Sequence, residues 1–241
     1  MITNIYIPAR LNSTRLPKKP LVDILGKPLV WHTYQAAIKC VDKKLANKVL
    51  VLTDSEIVVL ECNNWNIPCI NNGEHWCGSY RVLDQAIKDN CDIAINWQVD
   101  WPDLNTQDFR RLLAFKNINV YNIKTLYYFN SLPLSDNKVK LVTNNFDEVL
   151  YFSRANIPWN SEFYKIHIGI YAFYLKSIWK SRFDLLELNK LKLQNNSENL
   201  EQLIFLENDF SFLASYSLNK TYSIDTPEDL ENFKQKLLLQ S

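Results

Sequence analysis

The sequence predicts an α/β fold built on a mostly parallel sheet flanked by helices, and three observations carry that prediction. Short apolar, β-prone runs alternate with helical patterns through the first half of the chain. The first of these runs, Ile5-Tyr6-Ile7, leads straight into a cationic loop, at the edge where open α/β sheets bind their ligands. The second half is rich in β-prone runs separated by turn signals, which gives it an antiparallel character.

The loop after the first run, from Ile7 to Leu21, holds Arg10, Arg15, Lys18 and Lys19 with the hydroxyls of Ser13 and Thr14. Burying even one unpaired cation is costly, so these four either stay in water or meet an anion. Pro8, Pro17 and Pro20 stiffen the backbone, which suits a grip on polyphosphate better than a merely solvated segment. Residues 29–40 then read as a helix, 48–54 as a buried strand, 56–63 and 80–88 as helices and 92–100 as a further strand; Val82, Leu83, Ala86 and Ile87 supply the apolar stripe of 80–88. Both strands end in a carboxylate. Asp54 reads as a helix cap or turn residue. Asp100 is followed by Trp101-Pro102, which forces an extended exit and turns its carboxylate toward the ligand edge.

In the second half, 126–129, 139–142, 149–152 and 166–174 read as strands. Helical periodicity returns over 200–207 and again after Thr226, the expected cap of a terminal helix opening with Pro227-Glu228-Asp229. Residues 185–199 are polar, irregular and rich in Asn and Lys, and are expected to be the most mobile surface. There is no internal repeat and no linker long enough to demand independent domains, so residues 1–241 read as a single domain.

Composition narrows the function class. At 241 residues, 47% hydrophobic and 22% charged, the chain buries a substantial core. A net charge of +1 argues against an extended nucleic-acid surface and leaves room for a local basic pocket. No apolar stretch approaches the roughly 20 residues of a membrane span, and Met1-Ile2-Thr3-Asn4 lacks the features of a signal peptide, so a cytoplasmic protein is expected. Five cysteines form no C-x-x-C pair, and His32, His75 and His167 lie far apart, which disfavours a zinc knuckle, a disulfide framework or a histidine metal site.

Seven blocks, in order and spanning nearly the whole chain, share the pattern of one known family. They begin with Ile7-Pro8-Ala9-Arg10, Ser13-Thr14-Arg15-Leu16-Pro17, Lys19-Pro20-Leu21 and Gly26-Lys27-Pro28. His75-Trp76-Cys77-Gly78-Ser79-Tyr80-Arg81 is similar to the family's H-x-S-G-T-[DE]-R, and Gln98-Val99-Asp100-Trp101-Pro102 to its Q-G-D-E-P. Tyr151-Phe152-Ser153-Arg154 with Ile157-Pro158, then His167-Ile168-Gly169-Ile170-Tyr171-Ala172, Leu200-Glu201-Gln202-Leu203 and Asp225-Thr226-Pro227-Glu228-Asp229-Leu230 complete the set, which resembles the 3-deoxy-manno-octulosonate cytidylyltransferase (CMP-KDO synthetase) family.

The resemblance implies a Rossmann-like nucleotidyltransferase fold with a nucleotide-binding half (1–120), a sugar-binding and dimerisation half (121–225) and a terminal helix (226–241). It implies that CTP is joined to an ulosonic sugar acid, whose anomeric hydroxyl attacks the α-phosphorus as pyrophosphate leaves. Such a displacement needs positioning and neutralised oxygens more than covalent help. The implied nucleotide contacts are Ala9, Arg10, Ser13, Arg15, Lys19, Gly78, Ser79, Arg81 and Gln98, with Arg10, Lys19 and Asp100 as the catalytic set and Arg81 beside the base or ribose. Asp100 and Asp225 are the implied ligands of Mg2+; on its residues alone Asp225 reads as a helix-entry residue. Arg154, His167, Tyr171, Glu201 and Gln202 are the implied sugar contacts, Arg154 facing the carboxylate with its planar fork. The resemblance further implies a homodimer, with apolar residues of 121–129 and 164–173 as candidates for its contact or for the core.

Four departures bear on the substrate. Val99 stands for a glycine before the metal aspartate, Trp101 for the glutamate after it, Tyr80 for an acid and Cys77 for a serine; Lys18 replaces a further glycine. A synthetase for another ulosonic acid, 8-amino or sialic-acid-like, and a non-catalytic homologue that kept only binding are the alternatives. A dinucleotide-dependent oxidoreductase is excluded, because no G-x-G-x-x-G follows the first strand.

Overall fold

Strand β1 (Thr3–Pro8) is buried along its entire length, which is why its apolar residues run continuously rather than alternately. The structure is a computed structural model describing residues 1–13, 15–114, 123–131, 135, 137–176, 198–219, 221 and 223–239. After β1 come a 3-10 turn (Lys19–Leu21), β2 (Asp23–Ile24), β3 (Lys27–Pro28), α1 (Leu29–Asp42), β4 (Lys48–Thr53), α2 (Glu56–Asn64), β5 (Cys69–Asn71), α3 (Gly78–Lys88) and β6 (Ile93–Trp97). Then follow α4 (Thr106–Leu113), β7 (Ile123–Ser131), β8 (Lys140–Thr143), β9 (Val149–Ser153), β10 (Phe163–Tyr174), α5 (Glu201–Glu207), β11 (Phe212–Tyr216) and α6 (Pro227–Leu238). The chain divides into two units, Met1–Thr106 with Thr221–Ser241, and Gln107–Lys220.

In the first unit the strands run β6-β1-β4-β5, each pair parallel, with Ile5 opposite Val49 on one side and Ile95 on the other. Helix α1 buries Leu29, Val30, Thr33, Ala36, Ala37 and Cys40, the three-and-four spacing of a core-facing stripe. Helix α6 begins with a capping box, Thr226 Oγ1 accepting from Asp229 N–H while the Asp229 carboxylate accepts from Thr226 N–H, worth about 1 kcal/mol. Its inner face, Leu230 and Phe233, packs with Leu16, Ile24, Leu29 and Ile224. Leu16 thereby pins the cationic loop to the core from within.

In the second unit the order is β11-β7-β10-β8-β9, parallel between β11 and β7 and antiparallel elsewhere. The register of β10 on β7 slips between Ile168 and Tyr171, and the Thr125 hydroxyl reaches the carbonyl of Ile170 at 2.9 Å across that irregularity.

Several expectations shift. The compact units divide at 106/107 and 220/221, and Ile224 N–H, donating to the Asp100 carbonyl at 2.9 Å, ties the returning chain to the first unit. Helix α2 is capped at Ser55, and Asp54 turns its carboxylate to Arg81 instead. Within 164–173, Tyr164, Ile166, Ile168, Ile170 and Phe173 fill the core. Tyr121 and most of 185–199 lie outside the described residues. The sequence reading passed over β2, β3, β5, α4 and β11. The first three are two or three residues long, too short to show a period, and Leu25 and Gly26 turn the β2–β3 hairpin with φ of 52° and 82°, an arrangement in which glycine is at ease and leucine is not.

Candidate active site

The cationic loop leaves β1 with its first peptide locked. Ala9 N–H donates to the Leu52 carbonyl at 2.8 Å, and the Ala9 carbonyl accepts from the Thr53 hydroxyl at 2.7 Å. Arg10 is exposed and its guanidinium touches the Trp76 carbonyl at 3.3 Å; Ser13 is partly exposed. Lys18 is exposed and sits in the left-handed region, φ 53°, which accounts for the glycine that the resembled pattern has there.

One residue further on, Lys19 turns inward. Its ammonium lies 2.9 Å from Asp100 Oδ2 and 2.8 Å from Asp225 Oδ1, and Arg15 meets the same Asp225 oxygen at 3.1 Å. The two aspartates meet because the Ile224–Asp100 backbone bond lays the stretch before α6 beside the end of β6, and the capping box then fixes Asp225 at the helix entrance. Burial by itself would depress the Lys19 pKa; the charges of Asp100 and Asp225 outweigh it and hold the ammonium above its ordinary value. Burial drives the Asp100 carboxyl up, Lys19 pulls it back and Asp225 adds to the rise.

Asp100 Oδ1 is buried with no hydrogen-bond partner among the described residues, an oxygen suited to a further cation. Two carboxylates, one with such an oxygen, beside a cationic loop fit the way magnesium is commonly held, by one or two carboxylates with phosphates and water. Among the described residues no cluster of three or more His, Cys, Asp or Glu is arranged as an all-protein metal cage. Val99 and Trp101 put their bulk into the core: both are buried, the Val99 carbonyl accepts from Thr33 Oγ1 at 2.6 Å, and the Trp101 carbonyl accepts from Trp97 Nε1 at 2.8 Å.

Beside the loop opens a cleft of about 370 Å³ lined by Arg10, Leu11, Asn12, Asp54, Ser55, Glu74 and His75. Its wall is braced by Arg81, whose side chain is fully buried and binds Asp54 at 2.7 Å, Asn72 Oδ1 at 2.7 Å and the Gly73 carbonyl at 2.9 Å. Arg81, expected beside a base or ribose, lies behind the cleft wall with both terminal nitrogens bound to the protein. Burial lowers its pKa against the pull of Asp54. Ser79 is likewise engaged, accepting from Asn96 at 3.0 Å. At Gly78 a Cβ would stand 3.1 Å from the Gln98 amide nitrogen, so the missing side chain lets Gln98 pack closely against the start of α3. Cys77 caps that helix, its sulfur accepting from Tyr80 N–H at 3.3 Å, the duty a serine would perform. Asn12, Ser55 and Glu74 carry no motif of their own, and only the fold brings them to the cleft.

In the second unit, His167 and Tyr171 lie on β10 with ring centroids 5.3 Å apart, and Phe152 of β9 meets the His167 ring at 5.2 Å. Arg154 follows two residues after Phe152, and Glu201 and Gln202 open α5, which packs on β9. The Thr125 hydroxyl donates to Ile170, so the 3.0 Å contact makes His167 Nε2 the donor and leaves Nδ1 as the acceptor nitrogen. Burial pulls the His167 pKa down to about 3, which keeps the ring neutral.

Comparison with known proteins places this geometry. The sequence profile of the family described as cytidylyltransferase matches residues 5–237. The chain is 35% identical to the 3-deoxy-manno-octulosonate cytidylyltransferase of Lawsonia intracellularis, covering 97% of this chain and 93% of that protein. It is 36% identical to the enzyme of that name from Acidobacterium capsulatum, covering 96% and 95%. Among solved structures it resembles the CMP:2-keto-3-deoxy-manno-octonic acid synthetase complexed with CTP, with a TM-score of 0.84, 28% identity and full coverage of both chains. HddC from Yersinia pseudotuberculosis shares the fold at a TM-score of 0.69 and 15% identity. The chain belongs to the cytidylyltransferase family, among the 3-deoxy-manno-octulosonate cytidylyltransferases, and is a nucleotidyltransferase enzyme.

Proposed function

We propose that the protein activates a 3-deoxy-manno-octulosonate-type acid with CTP, releasing pyrophosphate and forming the CMP-sugar acid. The observation that carries this reading is the junction of Lys19 with Asp100 and Asp225 at the mouth of the cationic loop. Arg10, Ser13, Arg15 and Lys19 hold the triphosphate through the loop that Leu16 pins. Arg10 and Lys19 offset the charge that builds on the leaving pyrophosphate, Lys19 from a position that Asp100 and Asp225 already fix. Asp100 and Asp225 would hold a magnesium ion, which supplies neutralisation of phosphate oxygens and makes the sugar hydroxyl easier to deprotonate. Asp100 is the proton acceptor for that hydroxyl.

The nucleoside occupies the cleft beside Arg10, with Gln98 and the start of α3 around Gly78 and Ser79 as its neighbours and Arg81 shaping the wall. In the second unit Arg154 receives the sugar carboxylate, and His167, Tyr171, Glu201 and Gln202 meet the hydroxyls. A neutral His167 suits this: its Nδ1 accepts from a hydroxyl without bringing a charge.

The enzyme works as a cytoplasmic homodimer. Phe146, Trp159 and Phe163 of the second unit are 79%, 92% and 59% exposed, an apolar surface that a partner copy would cover. Among the described residues no helix is long and apolar enough to cross a membrane. The test is product identification: the protein is incubated with magnesium, each of the four ribonucleoside triphosphates and a panel of ulosonic acids. A CMP-linked octulosonate, and nothing comparable from ATP, GTP or UTP, is the expected result; equal turnover of ATP contradicts the reading.

A further inference from the structure

In the second unit one carboxylate holds the chain just past β9. Glu198 Oε2 accepts the Arg154 backbone N–H at 2.6 Å, and Glu198 Oε1 accepts the Ser153 hydroxyl at 2.5 Å. The Glu198 main-chain carbonyl accepts Arg154 Nε–H at 2.9 Å. From another side Lys140, a cation with no exposed surface, donates to the Arg154 carbonyl and to that of Lys138 at 2.8 Å. The backbone nitrogen, backbone oxygen and Nε of Arg154 are therefore all bound by the protein.

Anchoring of the segment alone accounts for the backbone contacts. The Nε contact goes further, because it restrains the guanidinium and narrows the directions in which its terminal nitrogens present. A free arginine surrenders much rotamer entropy on binding an anion, and a preset one surrenders less. We propose that Glu198 is a positioning residue for sugar-acid recognition, setting the Arg154 fork before the carboxylate arrives. This rests on the reading of Arg154 as the carboxylate partner. The side chain of Glu198 keeps its own carbonyl within reach of Nε, so losing the carboxylate loosens both links.

Steady-state pyrophosphate release, with CTP and a 3-deoxy-manno-octulosonate acceptor varied in turn, reads the role. Glu198→Ala raises the KM for the acid about tenfold and leaves the KM for CTP and kcat within about twofold. Glu198→Gln, which keeps an acceptor for the Arg154 N–H, restores most of the loss. In the double variant with Arg154→Ala the acid KM is no worse than in Arg154→Ala alone, because Glu198 acts through that residue. Should the Ala variant fail to fold, Ser153→Ala, which removes one partner of the carboxylate, shows the same split at a smaller size. Equal rises in both KM values, or a double variant whose effects multiply, overturns the proposal. If Arg154→Ala raises the acid KM and Glu198→Ala does not, only the Glu198 role falls; if Arg154→Ala itself leaves the acid KM unchanged, the underlying reading of Arg154 falls and this one with it.

Discussion

The ammonium of Lys19 lies 2.8 Å from Asp225 Oδ1 across a sequence separation of 206 residues, and it meets Asp100 at 2.9 Å in the same place. With Arg15 on Asp225, two cations balance two carboxylates here, and removing the lysine leaves Asp100 and Asp225 with Arg15 alone. Lys19→Met is expected to lower unfolding free energy by about 3 kcal/mol, the usual result of breaking a buried pair from one side, and to abolish pyrophosphate release. Urea titration and the coupled release assay measure both effects. Unchanged stability would show that the junction carries no balance of charge.

Lys18 is a non-glycine residue with φ 53°, exposed, one step before Lys19. Lys18→Gly removes the Cβ clash of the left-handed conformation and is expected to stabilise the fold by up to about 1 kcal/mol, whereas a β-branched valine at this position costs about as much or more. Denaturation midpoints of the two variants should move in opposite directions.

The Arg81–Asp54 pair braces the cleft wall, with Arg81 fully buried and its pKa lowered by that burial. Arg81→Leu alone strands Asp54 and is expected to cost about 3 kcal/mol, while Arg81→Leu with Asp54→Leu recovers a good part of it. A double-variant cycle by thermal or urea unfolding tests the coupling. Additive losses would count against a brace.

His167 sets an acid dependence. Its folded pKa, about 3, lies below the ordinary 6.5, so between those values the unfolded chain takes up a proton that the folded ring refuses. The sign is a loss of stability as pH falls below about 6.5, reaching about 2 kcal/mol from this residue at pH 5. In His167→Gln the stability between pH 8 and pH 5 should fall less steeply than in the wild type by that amount. Parallel curves for the two proteins would contradict the burial argument.

Much of this was legible in the residues. The run Ile5-Tyr6-Ile7, the stripe of α1 and the Thr226-Pro227 start of α6 declare themselves by period and cap chemistry, because each satisfies its local rules without help from afar. The cations of the loop and the aspartate at the end of β6 were likewise visible. Which way side chains face was not. Arg81 and Asp54 resemble any exposed basic and acidic pair until the fold buries the arginine, and Val99 and Trp101 look obstructive until the turn at 98–101 sends them into the core. Glu198 escaped because nothing in a lone glutamate before a helix reveals a partner 44 residues away.

The central claim is that Lys19, Asp100 and Asp225 serve one triphosphate. Pyrophosphate release from CTP, measured with magnesium in the wild type and in Asp225→Asn, with and without a 3-deoxy-manno-octulosonate acceptor, tests it most directly. The account predicts release only when CTP and acceptor are both present, and a loss of about a thousandfold in the variant, in keeping with removal of a group that stabilises transition-state charge. Release at the wild-type rate from Asp225→Asn, or release from CTP without any acceptor, would contradict it.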